Sequence, residues 1–413
     1  MLKNRNKIKS FIKYNNDNIA KDNETTKEYE TVYFTNKKIR LKRKCVLLFS
    51  HEMKRTGAPI VLLDLARLLK KMNYTVILLS LETGDLVDDF IKENIPVIVS
   101  KDMKKNQLDK KFDVDKKYCV DDMIPEFDFS VFNTLTLYNY IKKYDDGNNK
   151  IFWWIHEGTT IIDIPIINKD FPRKVSNKVI VCCVSEYSRQ LMLKNKVKYN
   201  IDLLPYYIHK SNNQSHHERI TINNDKTKIA MIGSISYRKG QKTLIDAIIS
   251  STPQVNDRVD YYFIGTVPKD DEYGERVLNE IKKLEKNNYF IHYIDQLDHD
   301  KILQLFDEID ALVVSSYDDP LPVVATECMM SKKIVISSDS TGTASLVKDK
   351  ESGFIFKTGD FDQLREVLSE LILNKNKYVN VGLKSYDIYY NLFTYNIFFK
   401  NFKNKVIKKF RNT

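Results

Sequence analysis

Several things are scarce in this chain of 413 residues. The 5 cysteines are an odd number, and Cys45, Cys119, Cys182, Cys183 and Cys328 show neither metal-ligand nor redox spacing. Four of them stand in or beside apolar strand or helix patterns and read as small core hydrophobes, which fits a reducing compartment. Histidine and cysteine are scattered, so no metal site is expected. No run approaches the ~18 apolar residues of a membrane span, and the polar N-terminus lacks the apolar segment of a signal peptide. The expectation is a cytoplasmic protein that at most lies against the inner face of the cell membrane. Gly and Pro are few, at 12 and 10, while Lys, Asn, Ile and Tyr abound. That balance reflects codon supply and does not bear on function. Ordinary apolar and charged fractions, 42% and 29%, exclude disorder of the whole chain.

What is present in excess is positive charge, +11 in formal terms. Much of it sits in three runs, Lys3 to Lys13, Lys37 to Lys44 and Lys400 to Arg411. Each run alone reads as a solvated surface. Together they make peripheral contact with an anionic membrane the second reading. Nucleic acid is not an expected partner, because the domains carry no recognition module and no interleaving of basic and aromatic residues.

The length suits two domains with full cores. Residues 1–44 lack sustained periodicity and read as a basic, polar arm. Structure begins at Cys45-Val46-Leu47-Leu48-Phe49-Ser50, a continuous apolar run of the kind a buried parallel strand needs. A loop from His51 to Pro59 follows, then a helix whose Val61, Leu65, Leu68 and Met72 form one stripe. A second strand covers Thr75 to Ser80. Further strands at 96–99, 130–132, 151–155 and 179–184 continue the alternation of strand and helix, which predicts βαβ units and a parallel sheet over 45–208. The polar stretch 209–226 reads as an interdomain linker. The same grammar then restarts over 227–385, with strands at 228–232, 261–264, 290–293, 311–315, 334–337 and 354–356. A helix opens at Asp360 with Gln363 three residues on, a capping pattern. The last stretch, 386–413, mixes Tyr and Phe with Lys and suits a helix that packs partly on the body.

The second half holds a constellation with a chemical meaning. After strand 228–232 come Gly233 and, just before a helix, Arg238 and Lys239. Cations placed at a helix N-terminus beyond a strand's carboxyl end suit a phosphate group. After strand 311–315 come Asp319 in a loop and Glu327 about a turn inside the next helix, with Pro322 expected in its first turn. Two carboxylates so placed could flank one hydroxyl-rich ligand. On spacing alone that reading is balanced against an ordinary acidic helix start.

The segments SHEMKRTGAP (50–59), WWIHE (153–157), VSEYSRQ (184–190), GSISYRKGQKTLIDAI (233–248), DDPLPVVATECM (318–329) and GTASLVKDKESGFIF (342–356) occur in an order that resembles the family 4 retaining glycosyltransferases. The resemblance covers most of the chain, from 45 to about 373. It implies the GT-B fold, an α/β architecture of two Rossmann-like doubly wound parallel-sheet domains facing across a cleft, with the acceptor on the N-terminal side and the donor on the C-terminal side. It further implies transfer of a sugar from a nucleotide-diphosphate sugar, the co-substrate, to a glycan or lipid-linked acceptor. No separate cofactor and no metal are implied, and the default setting is bacterial surface polysaccharide synthesis. Residue by residue, Lys239 with Arg238 would bind the pyrophosphate, Asp319 the transferred sugar and Glu327 the ribose. Backbone amides near Leu321 and Val323 would meet sugar or phosphate, Gly57 would let backbone approach the donor, and His156 would contact the sugar. Two positions depart from the pattern: Asp319 where the family usually has Glu, and Ser234 where many members carry an Arg. Those departures keep open a catalytically idle subunit that binds a partner or glycan. A nucleotide-sugar epimerase is the other alternative. Acceptor choice is expected to lie in N-terminal loops such as 101–128.

Overall fold

The computed structural model describes residues 5–18, 31–34, 42–100, 120–208, 226–287, 290–295 and 297–412. Residues 209–225 of the expected linker, 101–119 of the expected acceptor loop, and Cys119 lie outside that set. The chain divides into two compact units, one made of Met1–Val184, Ser188–Tyr207 and Phe398–Thr413, the other of Ser185–Tyr187 and Ile208–Ile397.

The first unit is built on strands β1 (Thr31–Phe34), β2 (Lys44–Ser50), β3 (Tyr74–Ser80), β4 (Val97–Ser100), β5 (Phe129–Phe132), β6 (Ile151–Ile155), β7 (Val179–Cys183) and β8 (Ile201–Leu203). Their order across the sheet is β1-β4-β3-β2-β5-β6-β7-β8. All neighbours pair in parallel except β1, which runs antiparallel along β4. Every residue of β3, β5, β6 and β7 is buried, as helix-covered parallel strands require. Because β2 neighbours both β3 and β5, the direction of winding reverses between β2 and β5. The loops leaving those two strands therefore open onto one crevice.

Both chain ends depart from their sequence expectation. In the leader, expected to be an arm, residues Asn6–Asn18 form a helix. Ile8 and Ile12, one turn apart, are buried. The Glu126 carboxylate accepts from the amides of Lys7 and Ile8 at 3.0 and 2.9 Å, and Arg5 meets Asp128 at 2.8 Å. An inward face of two isoleucines is too short to read as periodicity. The terminal stretch, expected as one helix, is three helical segments, Val381–Leu392, Tyr395–Phe402 and Lys408–Asn412, the last two joined by a π turn. Phe398, Phe402 and Phe410 pack onto Trp154, Phe152 and Phe129 of the first sheet.

The second unit carries β9 (Thr227–Ile232), β10 (Val259–Ile264), β11 (Ile291–Ile294), β12 (Ala311–Val314), β13 (Ile334–Ser338) and β14 (Phe354–Phe356). Their order is β11-β10-β9-β12-β13-β14, parallel throughout, which is the doubly wound order with its reversal between β9 and β12. Ile229, Phe263, Val313 and Ile336 from the sheet pack with Leu244, Ile281 and Leu368 from helices. Asp360 caps the helix Phe361–Leu373 by accepting from the Gln363 amide at 2.9 Å, as its sequence predicts.

Candidate active site

In the second unit the crevice between β9 and β12 gathers the charged residues singled out above. β9 ends at Ile232, Gly233 follows, and a single 3-10 turn, Tyr237–Lys239, leads to Gly240 and the helix Gln241–Ile249. Gly240 has φ +71°, and a Cβ there would lie 2.1 Å from the Ser315 carbonyl oxygen, so only glycine lets the two loops touch. The contact is fastened by Ser315 Oγ donating to Gly240 O at 2.8 Å and by the Tyr317 amide donating to Arg238 O at 2.8 Å. Gln241 Nε2 donates to Ser234 O at 2.8 Å and braces the turn from below.

So fastened, the β9 loop sets Lys239 Nζ 2.6 Å from Asp319 Oδ2. Arg238 reaches the same oxygen at 3.5 Å and donates to Asp318 O at 2.9 Å. The Asp319 side chain is only 7% exposed. Its own carbonyl accepts from the Gly342 amide at 2.9 Å, and a Cβ on Gly342 would fall 1.7 Å from Pro320 O. A buried carboxylate with two cations on one side is an arrangement that holds those cations in place.

Glu327 lies in the helix Val323–Met330 and is buried. Pro322 is the cap of that helix and not a member of its first turn, so Val323 is its first residue. In its first turn the Ala325 amide donates to Pro322 O at 3.1 Å, while the amides of Val323 and Val324 have no acceptor within the helix and point out of its N-terminus. Leu321 is buried beside them. The Glu327 carboxylate is gripped by His299, whose Nε2 stands 2.6 Å from Oε1. Sequence reading missed His299, and no local pattern marks it: the partner sits 28 residues away, at the start of the helix His299–Glu308.

In the first unit the corresponding crevice brings together the loops after β2, β5 and β6. Gly57 is the first residue of the helix Gly57–Lys71 and is exposed. Asn133, just past β5, donates from Nδ2 to Ala58 O at 2.8 Å and offers Oδ1 to His156 Nε2 at 2.9 Å. That pair of contacts puts the imidazole proton on Nε2 and leaves Nδ1 as an acceptor. Burial pushes the His156 pKa down to about 3, helped by the nearby His51, so the ring is neutral at physiological pH. Burial likewise pushes Glu157 up to about 7, against the pull of backbone amides. Its Oε2 accepts from Leu135 N and His156 N at 2.8 and 2.9 Å. Asn133 was not singled out in the sequence. The strand-order rule would have found it, since it follows one of the two strands at the reversal.

Among the described residues no group of three His, Cys, Asp or Glu side chains could hold a metal ion. Nor is any helix there long and apolar enough to cross a membrane. Residues 212–387 match the family model described as glycosyl transferases group 1, and residues 42–163 match that of glycosyl-transferase family 4. No curated protein matches the chain. Solved structures do. HepE of Anabaena, crystallised with UDP and glucose, superposes with a TM-score of 0.71 at 16% identity, over 88% of this chain and 99% of its own. A glycosyltransferase from Rickettsia africae gives 0.70 at 17% identity, over 90% and 99%. Sucrose-phosphate synthase from Thermosynechococcus elongatus gives 0.67 at 14%, over 90% and 100%. At such identities the likeness is one of fold, and that fold is GT-B.

Proposed function

Because the chain belongs to the group 1, family 4 glycosyltransferases, we propose that it transfers a sugar from a nucleoside-diphosphate sugar to a hydroxyl of a glycan or glycolipid, with retention of configuration and without a metal. The observation that carries this reading is the Arg238–Lys239–Asp319 cluster at the strand reversal of the second unit. As the bond from the sugar's anomeric carbon to the diphosphate oxygen breaks, negative charge grows on the phosphate. Lys239, Arg238 and outward amides at a helix N-terminus would meet that charge. Asp319 fixes Lys239 in advance, so little reorganisation is needed. In the proposed retaining path the acceptor hydroxyl forms its bond to the anomeric carbon on the face the phosphate leaves, and its proton passes to a phosphate oxygen. Glu327 would hold the ribose hydroxyls, and neutral His156 would accept a sugar hydroxyl at Nδ1. Bacterial surface polysaccharide or glycolipid assembly is the proposed setting. HepE was crystallised with UDP, which makes UDP the first nucleotide to try.

The test is thermal stabilisation by UDP, GDP, ADP, TDP and CMP, on the wild type and on Lys239→Ala. A ligand at 100 times its Kd adds ~2.7 kcal/mol. One nucleoside diphosphate should raise Tm, and the variant should lose that rise relative to its own baseline. If no nucleotide shifts Tm, weight moves to the idle, partner-binding reading. Transfer should run at full rate in EDTA; abolition by EDTA with recovery on added manganese would overturn the metal-independent part.

A further inference from the structure

The basic run at the chain's end is partly occupied by the protein itself. Lys405 donates to Leu203 O at 2.5 Å, and Lys409 pairs with Asp202. A different surface of the first unit has the character of a membrane contact. We propose that the end of the helix Thr160–Ile167, with the basic segment after it, docks on an anionic phospholipid membrane.

The helix turns Ile161 and Pro165, one turn apart, into the protein. On its other side Ile166 and Ile167 are 73% and 82% exposed, the two most exposed large hydrophobic side chains described. Ile162 and Ile164 are partly exposed beside them. Scattered apolar side chains are ordinary on a surface, but two adjacent isoleucines at a helix end form a wedge. Arg173 closes that end by donating to Pro165 O at 3.2 Å. Exposed Lys169 and Lys174 flank it.

Next to the wedge is an open depression of about 390 Å³, lined among others by Lys142, Lys169, Lys174, Asp145 and Asp170. Asp170 pairs with Lys142 at 2.7 Å, and Asp145 accepts from the Ser176 amide through Oδ2 at 2.8 Å, its Oδ1 having no hydrogen-bond partner. Asp163 on the helix is the remaining exposed acid nearby. Apolar side chains for the acyl boundary beside lysines for phosphate is the combination that an anionic lipid surface satisfies. The helix has 8 residues, so insertion is shallow and binding depends on salt. It directly follows the segment bearing His156 and Glu157. Docking here would bring a lipid-linked acceptor to that segment; this last consequence rests on the glycosyltransferase reading, whereas docking does not.

The experiment is sedimentation of the full chain with phosphatidylcholine vesicles, with and without phosphatidylglycerol, at low and high salt. Wild type should bind the anionic vesicles, weakly the neutral ones, and release in salt. The Ile166→Ser/Ile167→Ser variant should bind about ten-fold more weakly or worse, at unchanged Tm. Lys169→Gln and Lys174→Gln should each cost about five-fold. Wild type that ignores anionic vesicles overturns the proposal, and so does a double variant that binds as wild type does, which would move binding to the basic chain ends. A concentration-dependent dimer that the double variant abolishes would make the wedge a contact between copies and would overturn it equally. The nucleotide thermal shift is read separately, so failure of the transferase reading leaves the vesicle result standing.

Discussion

At the scale of single residues, His156 and Glu157 show how one short segment sets two opposite titrations. Glu157 ordinarily titrates at 4.5 and is pushed to about 7 when folded. The folded state therefore holds its proton more tightly than the unfolded one. The stability it contributes is fully present below its ordinary value and is lost as pH rises through about 7. His156 drops from 6.5 to about 3. Its contribution is present above its ordinary value and is lost as pH falls through about 3. Between them the first unit is caught from both sides. Glu157→Gln keeps an oxygen for the amides of Leu135 and His156 but removes the charge. Its Tm should exceed the wild type's by a few degrees at about pH 8 and match it near pH 4. A Tm difference that does not change with pH would show that Glu157 titrates as an ordinary carboxylate.

At the scale of elements, the candidate site of the second unit depends on where helices begin. The helix Val323–Met330 carries Glu327 inward, and the helix His299–Glu308 begins with the residue that grips it. His299 acts through Glu327, as a positioning residue for the proposed ribose contact. A hydrogen bond of this kind contributes ~0.5–1.5 kcal/mol, so His299→Ala should raise the donor KM about two- to ten-fold with kcat little changed. His299→Gln, which can still donate to the same oxygen, should recover most of the loss. Equal changes in kcat and KM, or no recovery by Gln, would make the contact merely structural.

At the scale of the whole molecule, the chain's last helices complete the first unit, although the second unit comes between them in sequence. Phe398, Phe402 and Phe410 are all buried. At about 2 kcal/mol each, their loss is comparable to the ~5–15 kcal/mol that stabilises a domain. Calorimetry of a chain ending at residue 397 should show the first unit's transition lowered by roughly 10 °C or more and the second's kept. Two unchanged transitions would mean that the terminal helices contribute nothing to that core.

The sequence by itself determined most of the architecture. Both sheets were legible because buried parallel strands are continuous apolar runs, as in Cys45–Phe49 and Ile151–Ile155, and because glycine loops and helix caps such as Asp360 punctuate them. It also singled out the residues proposed to carry chemistry in the second unit, since Arg238, Lys239, Asp319 and Glu327 follow strands in motif order. Tertiary structure decided the partners. Asn133 beside His156, His299 beside Glu327, and the terminal phenylalanines beside Phe152 and Trp154 are contacts between residues far apart in the chain. No local periodicity encodes them; they follow from strand order and from which faces remain to be covered. The exposure of Ile166 and Ile167 is of the same kind, because an isoleucine-rich segment does not show by itself which of its sides is left in water.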